Sequence, residues 1–389
     1  MSERAGKFLQ QQSGPDGFSA FIPAPLPPNP PVQMEGQLVG LHEAAAYALG
    51  RLDGASSRLD PERLLYMYVR KEAVLTSQIE GTQSTLSDLL EYENAAAPGT
   101  PEDDVRDVSR YVDALFYAIE EIRTGRLPLC LRLLRNAHAR LTSSGRGSTQ
   151  TPGEFRKSQN WVGGTRPGNA IYVPPPPHEV MPALDNLERY LHDDFSSTPM
   201  LLKAAIAHAQ FETIHPFLDG NGRIGRLLIS LMLVVDGGLT RPYFFISLYF
   251  KKNRSDYYQA LQRIRTHGDW EGWIRFFLIG VEASALEATR IAEALSDLFV
   301  SDRARVEALG RAAPSATRVY DVLRQRIVVS ASRVVEESDL AWPTVLAALE
   351  RLEVLGIARE LSGQKRNRLY QYRSQFDILN RETDLGHPL

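Results

Sequence analysis

The sequence predicts a mainly α-helical protein: a helical N-terminal domain, a helical core carrying one small β-hairpin, and a C-terminal winged helix-turn-helix. Three observations predict it. Apolar residues recur at spacings of three and four over most of the 389 residues. Gly and Pro gather in a few short stretches, in the first thirty or so residues, at 95–101 and at 143–177. Beyond about residue 302, short helical runs are followed by a two-strand pattern.

Taken in order, Phe21 to Pro31 is dense in proline and reads as an extended strap laid across the protein's own surface, a docking peptide being the alternative. Leu38 to Tyr92 is helical in pattern, and residues 95–101 break it. Glu102 to Asp104 gives an acidic first turn to a helix over Val105 to Glu121, and another covers Leu129 to Leu141. Phe155 to Gly164 and Ala170 to Val173 are strand candidates, which residues 163–169 close into a hairpin. Helices resume near Pro177. Thr198 as N-cap and Pro199 at the first helical position start a helix that runs to Ile214, because Pro216 restricts the residue before it. Arg223 to Val235 follows, stopped by Asp236-Gly237-Gly238. Three short helices at 317–326, 330–338 and 342–356, then strands at 357–361 and 368–372, make the winged unit. The expected domains are 1–105, 106–300 and 301–376, with a tail at 377–389. No repeat of fixed period is present.

Composition excludes several classes. With 43% hydrophobic and 23% charged residues the chain is globular rather than disordered. Lys+Arg number 44 and Asp+Glu 47, for a net charge of −3, so the chain as a whole is not built to coat nucleic acid or an anionic membrane. One cysteine, Cys130, excludes an internal disulfide and a Cys-cluster metal site. The longest apolar run, Leu227 to Val235, is interrupted by Ser230 and too short for a bilayer, and the first residues lack a signal-peptide stretch. The expectation is a cytoplasmic protein with no membrane partner.

The chemistry concentrates in His215-Pro-Phe-Leu-Asp-Gly-Asn-Gly-Arg-Ile-Gly-Arg226, a tight loop feeding a helix N-terminus. Gly220-Asn221-Gly222 lets successive backbone N–H groups point into one concavity, and the positive end of the following helix attracts phosphate oxygens. Arg223 and Arg226 lie three apart, so both guanidinium groups can face one anion in paired hydrogen bonds. Asp219 beside a phosphate would repel it unless a cation lay between, and Mg²⁺ with a nucleotide supplying other ligands is the candidate. His215 can accept a proton near neutral pH. Singly, each piece also suits a turn, a packed histidine or a solvated arginine. Eight such positions together would arise by chance on the order of once in ten million chains.

His215-x-Phe217-x-Asp219-Gly-Asn-Gly-Arg223-x-x-Arg226 resembles the complete signature of the Fic (filamentation induced by cAMP) family of protein adenylyltransferases. Pro152 to Gly164 and Tyr172 to Pro177 resemble the family's flap. Tyr257 to Leu261 and Gly268 to Ile274 resemble the helices after the motif, and the C-terminal module resembles the winged-helix appendage of many bacterial members. The resemblance covers about residues 20–375 and implies a Fic-type helical core. It implies that His215 deprotonates a Ser, Thr or Tyr hydroxyl of a target protein, which attacks the α-phosphate of ATP. Asp219 would hold Mg²⁺. The ATP contacts would run through Glu80, His215, Gly220, Asn221, Gly222, Arg223, Ile224, Gly225 and Arg226, with Arg226 on the γ-phosphate and Tyr258 on the adenosine side. The flap at 155–173 would pair with an extended segment of the target.

Thr76-Ser-Gln-Ile-Glu80-Gly81 fits [Ser/Thr]-x-x-x-Glu-[Gly/Asn], and Lys71 to Thr85 resembles the inhibitory helix of family members that carry it ahead of the core. Alone, the pattern is a helix end with a C-terminal glycine. By the resemblance Glu80, with Thr76, would occupy Arg226 and hold ATP out of line. In some relatives the same glutamate positions a water that removes AMP, so transfer and removal both stay open, as does a different nucleotide. Family analogy also implies a homodimer.

Weaker signals have plainer readings. His208 reads as packing and Cys130 as core. Lys251, Lys252 and Arg254 read as a solvated helix start, with phosphate or DNA contact as the alternative. Arg359, Lys365, Arg366, Arg368 and Arg373 cluster on the wing and offer DNA backbone contacts, diluted by Glu336, Glu337, Asp339 and Glu350. The third functional reading is therefore a DNA-bound regulator whose core senses nucleotide.

Overall fold

The computed structural model describes residues 4–11, 17–57, 60–94, 102–143, 149–193, 198–240, 243–363 and 368–381. The break at 95–101, Lys365 and Arg366 of the wing, and the tail from 382 lie outside them.

Strands β1 (Gly6–Gln10) and β2 (Ser19–Pro23) pair antiparallel with Phe8 opposite Phe21. The sequence reading does not anticipate this hairpin, because β1 is largely exposed and shows no alternation. The proline strap that follows does lie on the protein's own surface: Leu26 N–H donates to Asn186 Oδ1 at 2.7 Å, and Gln210 Nε2 donates to the Ala24 carbonyl at 3.0 Å.

The helical stretch at 38–92 divides into α1 (Gln37–Ser56), α2 (Pro61–Ile79) and α3 (Leu86–Glu93). Gly81, at φ 96°, ends the α2 segment, and a capping box starts α3: Thr85 Oγ1 accepts from Asp88 N while Asp88 Oδ2 accepts from Thr85 N. Next come α4 (Glu102–Arg123), α5 (Leu131–Leu141), α6 (Pro177–Leu191), α7 (Met200–Ile214) and α8 (Asn221–Val235). Helices α9 (Ser247–Lys252), α10 (Arg254–His267) and the 38-residue α11 (Trp270–Glu307) complete the core.

Helix α7 is buried from Leu201 to Ile214, polar residues included, and α8 is buried from Asn221 to Leu233. A helix buried all round must satisfy its polar groups internally. His208 does so, bonding the Gly225 carbonyl at 2.8 Å through Nδ1 and Tyr257 Oη at 3.0 Å through Nε2, which agrees with its reading as a packed residue. These two central helices present the motif loop between them.

The C-terminal unit is α12 (Ala313–Arg326), β3 (Val328–Ser330), α13 (Ala331–Ser338), α14 (Trp342–Val354), β4 (Ala358–Glu360), β5 (Leu369–Tyr372) and α15 (Arg373–Asn380). The expected three helices and hairpin are there, and β3 adds a third antiparallel strand in the order β3–β5–β4. One continuous apolar core runs from Leu26 to Leu379. No described helix is long and apolar enough to cross a membrane.

Several expectations need correction. The 105/106, 300/301 and 376/377 boundaries fall inside α4, α11 and α15. Helix α11 passes unbroken from core to C-terminal unit because its buried positions continue through Phe299 and Val306, and its buried Asp302 accepts from Tyr372 Oη at 2.7 Å. Pro199, not Thr198, is the N-cap of α7, since its ψ of 141° keeps it outside the helix. The flap hairpin is reduced to a single antiparallel bridge, Val162 with Tyr172, because neighbouring carbonyls bond side chains of Arg156 and Gln159 instead of a partner strand. Cys130 is half-buried at the entrance to α5, beside the core rather than inside it.

Candidate active site

Helix α7 ends on His215, whose φ of 49° turns the chain into the left-handed region and out of the helix. Gly220, at φ 76°, performs the second turn into α8. Between them the loop is held by its own amides. Asn221 Oδ1 accepts from Phe217 N, and Asn221 Nδ2 donates to the Phe217 carbonyl, both at 2.8 Å. The Asn221 side chain therefore shapes the loop and leaves only its backbone to face an anion.

Two groups from the flap segment clamp the histidine's backbone. Arg156 donates to the carbonyls of His215 (2.9 Å), Pro175 (2.6 Å), Ile214 (3.3 Å) and Ser158 (3.2 Å), and Asn160 Nδ2 donates to those of Phe217 (2.8 Å) and His215 (3.2 Å). His138 stacks on Phe217 with ring centroids 3.7 Å apart, and its Nε2 meets the Asp219 carbonyl at 3.0 Å. Sequence reasoning missed these three residues. Arg156 and Asn160 lay in a stretch read as strand, and His138 lies 81 positions from Asp219.

The His215 ring is pulled down to about pKa 4, by burial first and then by the positive charges of Arg265 and Arg156, against the opposing pull of Glu80 and the Glu212 carbonyl. Its Nδ1 is buried without a well-formed hydrogen bond. At neutral pH the ring is uncharged and one nitrogen can accept a proton.

Arg226 is buried and faces α2. Its Nε donates to Thr76 Oγ1 at 2.7 Å, its Nη2 to the Thr76 carbonyl at 3.0 Å and to Glu80 Oε1 at 2.6 Å. The local cause lies in the end of α2. Glu80 N bonds Ser77 O, three residues back, which leaves the Thr76 carbonyl without its usual helical donor. A cation at a helix C-terminus also meets the negative end of the helix dipole. Burial works against the Glu80 charge, yet Arg226, aided by Arg223 and His215, holds its carboxyl below the ordinary range. Arg226 is in turn pushed up by Glu80 and Glu212.

The basic segment after α8 also serves α2. Lys251 Nζ donates to Gln78 Oε1 at 2.6 Å, and Arg254 Nε donates to the Ile79 carbonyl at 3.2 Å. Lys251 is half-buried on the Gln78 side chain, which corrects its reading as solvated, whereas Arg254 stays exposed as read and still donates to a last carbonyl of α2.

Arg223 is buried, its Nε has no hydrogen-bond partner, and its Nη2 stands 3.9 Å from Asp219 Oδ2. An unmet buried guanidinium donor beside a helix N-terminus suits an anionic ligand. Gly222 opens the space: a Cβ there would overlap Glu80 Oε1. Ile224 and Gly225 do not join the group. Ile224 is fully buried in the core, and the open face of Gly225 is filled by Glu212 and Phe211 of α7. Tyr258 is partly exposed on α10, near enough to Glu80, Arg226 and Arg254 for their charges to act on its hydroxyl.

For a divalent cation the donor set is sparse. Asp219 keeps a partly exposed carboxylate, with Oδ1 accepting from Gly220 N at 2.8 Å. No group of three His, Cys, Asp or Glu that could hold a metal occurs among the described residues. A lone carboxylate fits Mg²⁺ that takes its other ligands from a polyphosphate and water.

Comparison with known proteins gives a consistent picture. Residues 39–120 match the family described as Fic/DOC family N-terminal, and residues 128–233 match the Fic/DOC family. Proteins named "Protein adenylyltransferase Fic" from Drosophila sechellia, Drosophila simulans and Drosophila melanogaster are 38% identical over 125 residues, 32% of this chain and 23% of theirs. The chain thus matches about a quarter of the length of these curated relatives. Among solved structures, a Fic family protein from Desulfovibrio desulfuricans G20 superimposes with a TM-score of 0.58 and 20% identity, covering 88% of this chain and 97% of that one. A Fic domain containing signaling protein from Bacteroides thetaiotaomicron VPI-5482 does so with a TM-score of 0.54 and 17% identity, covering 65% and 97%. At these identities the structures speak for the fold alone.

Proposed function

The chain belongs to the Fic family, and on that premise we propose that it transfers AMP from ATP to a Ser, Thr or Tyr hydroxyl of a protein target, with Glu80 as its brake. The observation that carries the reading is the convergence on one loop of an uncharged His215, the N-terminus of α8 at Asn221 and Gly222, and the unmet donor of Arg223.

The target hydroxyl gives its proton to the His215 imidazole as its oxygen forms a bond to the α-phosphorus. The bond from that phosphorus to the bridging oxygen breaks, and its electron pair leaves with pyrophosphate. Arg156 and Asn160 hold the His215 backbone so that the ring meets the incoming hydroxyl. Arg223, the N-terminus of α8 and a released Arg226 hold the phosphates. Mg²⁺, held by Asp219, would neutralise charge on the leaving pyrophosphate. The flap offers the unpaired backbone around its single bridge, flanked by Ile171, 77% exposed, as an edge for an extended target segment.

The brake rests on the Arg226–Glu80 contact. Arg226 cannot bind Glu80 and a γ-phosphate together, and a second anion beside the α8 N-terminus repels the triphosphate. We read the C-terminal unit as a winged helix that presents the enzyme to a partner, DNA or protein.

The test is transfer of label from α-³²P-ATP with Mg²⁺ to purified protein and lysate, using the parent, Glu80→Gly, His215→Ala and the double variant. Labelled protein with Glu80→Gly, lost in the double variant, is the expected result. No label in any lane with ATP binding intact would overturn AMP transfer in favour of AMP removal, another nucleotide or a nucleotide-sensing DNA-binding role.

A further inference from the structure

We propose that Arg265 of α10 is a positioning residue that fastens the flap to the helix end carrying His215, so that the strand edge a target pairs with and the base it must meet keep one spacing. This rests on the transfer reading above.

Arg265 is buried, yet among the described residues it has no ion pair. A buried guanidinium without a carboxylate is costly, so its other contacts have to satisfy it. Those contacts join three elements. From α10, Arg265 Nε donates to Thr213 Oγ1 at 3.4 Å and Nη2 to the Glu212 carbonyl at 3.3 Å, both in the last turn of α7. The guanidinium carbon lies 3.7 Å from the centre of the Tyr172 ring, over its face. Tyr172 closes the triangle, its hydroxyl donating to the Thr213 carbonyl at 2.5 Å. Both side chains thus meet Thr213, two residues before His215.

Tyr172 is also the paired residue of the flap. Val162 N donates to the Tyr172 carbonyl at 2.8 Å, and Tyr172 N to the Val162 carbonyl at 3.1 Å. The neighbours have little core of their own, Trp161 being 39% and Ile171 77% exposed. Further along, Phe21 N of β2 holds the Val173 carbonyl at 2.9 Å and Arg156 the Pro175 carbonyl at 2.6 Å. Those ties act on the exit of the flap. At the bridge itself, Arg265 and Thr213 hold the Tyr172 side chain, with the Phe21 ring 6.3 Å away.

The same cation acts on the base. The charges acting on the His215 ring are Arg265 from α10, Arg156 from the flap segment and Glu80 from α2, and Arg265 is the strongest of them. One guanidinium therefore sets the flap, the turn before the base and the charge state of the base.

Hydrogen exchange of the full chain tests the fastening, and initial rates of label transfer from α-³²P-ATP in the Glu80→Gly background test the effect on the base. Arg265→Gln is expected to speed exchange of the Val162 and Tyr172 amides about tenfold and to leave α8 amides unchanged, since a desolvated cation–π contact changes a local opening by about that factor. Tyr172→Leu should do the same, and the double variant should add no more than about threefold. The acid limb of the rate profile from pH 4 to 8 should move to higher pH in Arg265→Gln, which removes the charge. It should stay in place in Arg265→Lys, which keeps it. Flap exchange unchanged in Arg265→Gln, a rise shared equally by α8, or an acid limb that Arg265→Gln leaves in place would each overturn the proposal. No label from Glu80→Gly itself would fault AMP transfer instead, and the exchange result would then decide the fastening alone.

Discussion

Glu80 lies on the open face of Gly222, so close that a Cβ on that glycine would overlap Glu80 Oε1, while the same oxygen reaches Arg226 Nη2 at 2.6 Å. One carboxylate thus covers part of the α8 N-terminus and also takes the guanidinium. Steric and electrostatic exclusion of a triphosphate are therefore separable by substitution.

Glu80→Gly removes both effects, whereas Glu80→Gln keeps the bulk over Gly222 and removes the charge. AMP transfer is expected to rise in the order parent, Glu80→Gln, Glu80→Gly, with about tenfold or more between the extremes, since losing a charge-assisted contact of about 1.5–3 kcal/mol changes an equilibrium by that much. Initial rates of label incorporation decide it. Glu80→Gln equal to the parent would assign the brake to bulk alone.

Thr76 supplies two acceptors to Arg226, its hydroxyl and its carbonyl, and only the first can be removed by substitution. Thr76→Val leaves Arg226 Nε buried and unmet, at about 1–3 kcal/mol. Released from one tether, Arg226 is expected to favour the nucleotide, with tighter ATP binding and transfer raised less than by Glu80→Gly. Thr76→Ser should match the parent. Calorimetry of ATP binding is the measurement, and weaker binding in Thr76→Val would mean that Thr76 positions Arg226 for the nucleotide.

Stability should peak near pH 6.5. Burial depresses His138 and His215 to about 4 and His208 to about 3, so their contribution is complete above the unfolded value near 6.5 and is lost as pH falls toward 4. Burial raises Glu72 to about 8 and Glu212 to about 7, so theirs is complete below 4.5 and is lost as pH rises through 7 to 8. Each proton amounts to about 1.4 kcal/mol per pH unit, and between 4.5 and 6.5 three histidines outweigh two carboxyls. Urea midpoints at pH 5, 6.5 and 8 should be lower at both ends, and Glu72→Gln should lose less between 6.5 and 8. A midpoint still climbing at pH 8 would contradict the burial assigned to Glu72.

What could be read beforehand follows from how local each feature is. The loop from His215 to Arg226 is legible because its turns, helix start and arginines are set by adjacent residues. Helix α7 is bracketed by Pro199 and Pro216. The Glu80–Arg226 contact joins residues 146 positions apart, and only the family resemblance pointed to it. Arg156 was hidden because an arginine in an extended stretch looks solvated, and its four carbonyl partners converge only in the fold. The half-buried Lys251 was hidden for the same reason, since its partner Gln78 lies in the last turn of α2. Periodicity marks α1 as a helix, but nothing local tells that α11 covers one face and leaves Tyr47 outside.

Arg156 gives the sharpest test of the site. Its guanidinium bonds the Ile214 and His215 carbonyls at the turn and ties them to those of Pro175 and Ser158. Its charge also helps keep the ring neutral. In a Glu80→Gly background, Arg156→Lys keeps a charge but not the planar fork, and Arg156→Ala keeps neither. Both are expected to lower kcat, by about 10–100-fold for the alanine, because misplacing a base by an ångström has that effect. ATP affinity should change little, since the α8 N-terminus, Arg223 and Arg226 are untouched. Removing a positive charge raises the ring pKa, so the acid limb of kcat/KM should move to higher pH in Arg156→Ala and less in Arg156→Lys. A purely structural role would lower thermal stability without moving that limb. Rate profiles from pH 4 to 8, alongside melting curves, separate the two.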